Sequence, residues 1–107
     1  MPCNKIHITG SVYKTGFRYY LKAKADYSGV TGVVFYEDDK SVGVIASGSE
    51  EKMNDFLKFC KAGCPLAQIS HTEIFEVPNQ EFSSFEVIDE VPEMPDIHNG
   101  NIKKYEL

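Results

Sequence analysis

A chain of 107 residues, 42% hydrophobic and 25% charged, is long enough to bury one core and too short for two. Its net charge of −5 argues against nucleic acid as a partner, since a duplex-binding surface needs a concentrated basic patch. No apolar run approaches the roughly 18 residues of a membrane span. The N-terminus "MPCNKIHITG" has no secretory pattern, and an odd set of three cysteines fits a reducing, cytoplasmic compartment better than a disulfide framework.

Residues 5–12, "KIHITGSV", alternate Ile6, Ile8 and Val12 with more polar neighbours, the pattern of a half-buried strand. After the loop "YKTG", the segment "FRYYLKAKADYSG" places Phe17, Leu21, Ala25 and Ser28 on one helical face, and Gly29 supplies a stop. "VTGVVFY" (30–36) reads as a second strand and "SVGVIAS" (41–47) as its hairpin return. The acidic run at Glu37, Asp38 and Asp39 between them reads as a solvated tip. A second helix follows, with Ser49 as its cap and Glu50 and Glu51 in the first turn, where the helix dipole favours negative charge. Met53, Phe56, Leu57 and Cys60 form its apolar stripe, and Gly63 and Pro65 end it.

Strands are expected at 68–77 and 82–88, separated by the turn "PNQE". The order β-α-β-β-α-β predicts an α+β, ferredoxin-like sandwich: a four-stranded antiparallel sheet with two helices on one face. Residues 1–88 form this domain. From Asp89 the composition changes to an acidic C-terminal tail over 89–107, with Val91, Met94, Ile97 and Ile102 as candidate anchors. A passive extension is the simpler reading of the tail, with a protein partner as the alternative.

Cys60 and Cys64 are too few for a closed metal site and read as packing thiols. His7 and His71 fall in expected strands and read as structural. Ferredoxin-like sandwiches host many activities, so the fold alone does not assign a function.

The stretch "GSVYKTGFR" holds the chain's one arginine, Arg18, among ten lysines. A guanidinium is a planar fork suited to gripping phosphate or carboxylate at two points, although a lone arginine also serves in surface ion pairs. Here it stands just inside a helix start, behind a loop whose successive backbone N–H groups can face an anion. Lys14 adds a second positive charge.

These residues resemble the acylphosphatase signature G-x-V-Q-G-V-G-F-R, read here as Gly10-Ser11-Val12-Tyr13-Lys14-Thr15-Gly16-Phe17-Arg18. Ala25, Gly29, Gly32, Val34 and Gly48 keep the register, and "GCPLAQI" (63–69) and "SFEVI" extend it, so the resemblance covers about residues 5–88. It implies hydrolysis of the carboxyl–phosphate bond of acyl phosphates without metal or other cofactor. It assigns phosphate binding to Arg18 and to the backbone of Tyr13, Lys14, Thr15, Gly16 and Phe17.

The departures are specific. Where the family places a water-positioning asparagine, four residues after the glycine of G-W-V-x-N, this chain has Tyr36, four after Gly32. Tyr13 and Lys14 replace the family's glutamine and glycine. If that glycine position needs a positive φ, lysine there costs roughly 1–2 kcal/mol. Two readings follow. One is a weak acylphosphatase with Arg18 and Tyr36 as its catalytic pair, acting on a small acyl phosphate. The other is an inactive module that binds inorganic phosphate or a protein.

Overall fold

The computed structural model describes residues 2–92 and the backbone of 103–106. The elements are β1 (Cys3–Ser11), α1 (Phe17–Ser28), β2 (Thr31–Asp38), β3 (Ser41–Ser47), α2 (Glu50–Ala62), β4 (Gln68–Val77), β5 (Phe85–Val87) and β6 (Lys103–Glu106). Both helices form where their sequence signals lie. Phe17, Leu21 and Ala25 are the buried face of α1. Ser49 caps α2 by accepting the Lys52 N–H, and Met53, Phe56, Leu57 and Cys60 are its buried face.

The sheet order is β5-β2-β3-β1-β4-β6. Its centre, β2-β3-β1-β4, is the antiparallel ferredoxin-like core. Register brings Val34, Val44, Ile6 and Ile74 into one row across those four strands, and all four are fully buried. Each such side chain contributes about 1.5–3 kcal/mol on burial. The row joins Phe17, Leu21, Phe56 and Leu57 of the helices in one core.

The expected four-stranded antiparallel sheet needs correction, because the sheet is mixed and larger. Residues 82–88 do not return beside β4. Instead β5 pairs in parallel with β2, with Gly32 opposite Phe85 and Val34 opposite Val87. Two apolar anchors account for the crossing. Phe85 is buried with its ring edge-on to Phe56, centroids 5.6 Å apart. Phe82 packs on a second cluster of Cys3, Phe35, Ile45 and Val77. That cluster covers the sheet face opposite the helices, which is why every residue of β3 is buried.

Residues 103–106, expected as tail, add the edge strand β6 antiparallel to β4. Met94, Ile97 and Ile102, on which the anchoring expectation rested, lie outside the described residues. Among the described residues no helix is long and apolar enough to cross a membrane.

Of the acidic run, Asp38 and Asp39 are exposed at the turn as expected, and Glu37 departs from the reading as a solvated tip. Glu37 Oε1 accepts from His7 Nδ1 at 2.7 Å and lies 3.2 Å from the Lys5 ammonium, a side chain only 6% exposed. Asp38 Oδ1 accepts from the Lys40 N–H and the Ser41 hydroxyl, closing the β2–β3 turn.

Candidate active site

The loop from Val12 to Gly16 joins the end of β1 to the start of α1. It turns tightly through two left-handed residues, Lys14 (φ 57°) and Gly16 (φ 80°). Lys14 is the one non-glycine residue with positive φ among those described, as the glycine at that place in the family signature implied. The Thr15 hydroxyl donates to the Val12 carbonyl at 2.6 Å and accepts the Phe17 N–H at 3.3 Å, bracing the loop against the helix. The Cys64 thiol touches the Thr15 carbonyl at 3.9 Å from the other side. Phe17 itself is fully buried and anchors the helix start in the core.

Arg18, one residue into α1, points back toward this loop. Its side chain is only 16% exposed. Nε is buried without a hydrogen-bond partner among the described residues. Nη1 lies 3.6 Å from the carboxylate of Asp89, which is 98% exposed, and water screens so exposed a pair strongly. Asp89 comes here because β5 runs parallel to β2 and delivers the following residues to the loop end of the sheet. The guanidinium carbon sits 4.1 Å from the Tyr36 ring centroid and 5.6 Å from that of Tyr19, within cation–π range of both.

Tyr36 reaches the site from β2. Its hydroxyl accepts the Lys14 backbone N–H at 2.8 Å, and its ring meets Tyr13 at 5.0 Å between centroids, tilted by 53°. Tyr13, Lys14, Gly16, Arg18, Tyr19 and Tyr36 line a cavity of about 430 Å³. The fold therefore brings together the loop, Arg18 and Tyr36, and adds Tyr19, a residue not among the sequence candidates. Its place one residue after Arg18 was the available signal.

Electrostatically the site is cationic within an acidic protein. Lys14 and Arg18 both line it, and the first turn of α1 adds the positive end of its dipole. His7 lies elsewhere, at Glu37. Hydrogen bonding to Glu37 holds its imidazole above the ordinary value, against the effect of burial. Burial drives the Cys60 thiol well above its usual range, as suits a packing residue.

The bent loop and Arg18 stand on a βαββαβ core, and comparison with known proteins places the chain in a family. The acylphosphatase family model matches residues 4–87. The chain belongs to the acylphosphatase family. An acylphosphatase from Enterococcus faecalis is 38% identical over 86 residues, covering 78% of this chain and 94% of the relative. One from Archaeoglobus fulgidus is 34% identical over 83 residues, covering 78% of this chain and 93% of its own. The crystal structure of the Bacillus subtilis acylphosphatase superposes with a TM-score of 0.78 at 28% identity, covering 82% of this chain and 99% of that one. Membership supports acyl phosphate hydrolysis at the level of the family.

Proposed function

We propose that the protein binds the phosphoryl group of an acyl phosphate on the 13–17 loop and Arg18 and hydrolyses the carboxyl–phosphate bond slowly. The observation that carries this reading is Arg18: a largely buried side chain whose Nε has no hydrogen-bond partner among the described residues, lining the same cavity as Tyr13, Lys14 and Gly16 of the loop. A buried donor left unsatisfied costs about 1–3 kcal/mol, which an anion would recover.

In the reaction, water attacks phosphorus, the new O–P bond forms as the carboxylate–phosphorus bond breaks, and one proton is released. The carboxylate leaves without a proton donor, so the protein's contribution is positioning and charge stabilisation. The Arg18 fork and the Thr15 and Gly16 amides would hold the equatorial oxygens. The Tyr36 hydroxyl, accepting from Lys14, has its proton and a lone pair available to orient water. Its ring sets that hydroxyl at a different place from an asparagine amide, and a displacement of about 1 Å costs on the order of 10²-fold in rate.

A second reading is an anion-binding module without useful turnover. The Tyr36–Lys14 bond favours it, because the hydroxyl occupies one of the loop's amides.

Hydrolysis of benzoyl phosphate by wild type, Arg18→Ala and Tyr36→Asn separates the readings. Slow wild-type turnover lost in Arg18→Ala supports the enzyme. Turnover seen only in Tyr36→Asn supports the binding module. No turnover in any of the three overturns the hydrolase reading.

A further inference from the structure

Resting on the reading that the loop and Arg18 hold a phosphoryl group, we propose that the cavity selects phosphoryl compounds with a planar aromatic substituent. Aromatic acyl phosphates would thus be preferred over small aliphatic ones, with Tyr13 and Tyr19 as the specificity-determining residues. Tyr13 is 49% and Tyr19 62% exposed, two of the large apolar side chains that the described residues leave open to solvent. Both line the cavity that contains Arg18.

The arrangement of rings gives the exposure a direction. Tyr36 is committed, with its hydroxyl on the Lys14 amide and its face under the guanidinium. Tyr13 meets Tyr36 at a tilt of 53°, so the two rings make an open corner rather than a closed stack. Tyr19 also lies within cation–π range of the guanidinium, 5.6 Å away. A phosphoryl group on Arg18 therefore has tyrosine rings beside whatever it carries. The Lys14 ammonium, 5.4 Å from the Tyr13 ring, covers part of that ring and keeps the mouth cationic.

A planar aromatic substituent can pack against these rings offset or edge-on, each contact strengthening binding by roughly 2- to 12-fold. A methyl or acetyl group is too small to cover either ring.

The test compares binding of phenyl phosphate, methyl phosphate and inorganic phosphate to the full chain by titration calorimetry. Wild type, Tyr13→Ala, Tyr19→Ala and Tyr19→Phe are measured alike, with circular dichroism confirming that each is folded. Phenyl phosphate should bind about 5-fold or more tighter than methyl phosphate. That ratio should fall toward one in each alanine variant and survive in Tyr19→Phe. A wild-type ratio near one, or a ratio unchanged in both alanine variants, overturns the aromatic preference. If inorganic phosphate fails to displace phenyl phosphate, the phosphoryl-holding reading fails and the proposal falls with it. If phosphate competes but the ratio is one, only the aromatic preference is lost. KM for benzoyl against acetyl phosphate should follow the binding ratio wherever turnover is measurable.

Discussion

Removing the Tyr36 hydroxyl should weaken the fold and tighten phosphate binding at the same time. Tyr36→Phe deletes the 2.8 Å bond from the Lys14 N–H and keeps the ring under Arg18. The bond is exposed, so its net worth lies toward the lower end of the usual range, about 0.5–1 kcal/mol. For a domain of this size that loss lowers Tm by about 2–8 °C. On the second reading, in which the hydroxyl competes for a loop amide, an anion that takes the Lys14 amide must first displace it, so the same 0.5–1 kcal/mol returns as roughly 2- to 5-fold tighter phosphate binding in the variant. Calorimetric titration with inorganic phosphate at fixed ionic strength measures the second quantity, and thermal unfolding of the same samples measures the first. Weaker binding in Tyr36→Phe would refute the reasoning, since the hydroxyl would then be a ligand of the anion and not its competitor.

Other perturbations test the scaffold. Lys14→Gly relieves the left-handed φ of 57° but makes the unfolded chain more flexible; the net gain should be about 0.5–1 kcal/mol by urea unfolding, and a loss of stability would contradict it. Gly32 has φ +148° and lies where an added Cβ would strike the Ile45 carbonyl oxygen, so Gly32→Ala should cost about 3 kcal/mol or more. A near-neutral urea midpoint for that variant would refute the close approach.

Glu37→Gln should destabilise by about 1.5–3 kcal/mol, most strongly near pH 6, with a difference from wild type that narrows toward pH 8. The sign follows from His7, raised above 6.5 by its bond to Glu37. That contribution is complete below the unfolded value and fades as pH climbs through the folded one. On the acid side, burial pushes the Glu37 carboxyl up but His7 and Lys5 outweigh it and hold it below 4.5. Its stabilisation is therefore present above that value and lost as pH falls further. Tm measured from pH 4 to 9 on both proteins checks the two limbs, and a pH-independent difference would contradict the linkage.

What the sequence by itself determined was local. Ser49 caps α2 and the 3.6-residue spacing of Met53, Phe56, Leu57 and Cys60 sets its buried face, because capping and periodicity act within a few residues. The loop from Tyr13 to Gly16 and Arg18 were legible as a candidate site for the same reason: they are contiguous. Even the left-handed backbone at Lys14 was foreshadowed by the glycine that the family signature has there.

Tertiary structure decided what depends on distant residues meeting. Whether 82–88 pairs with β4 or β2 turns on Phe85 finding Phe56 and Phe82 finding the second cluster, contacts that no local pattern announces. The meeting of Glu37 with His7, thirty residues away, takes that one carboxylate out of the acidic tip and into a half-buried ion cluster with Lys5. The candidate site shows the same division. Tyr36 was visible as a replacement, but its place on the Lys14 amide 22 residues away, and its stacking under Arg18, follow from strand register and loop shape. Side-chain identity supplies the chemical groups, and packing of distant segments determines which of them face one another.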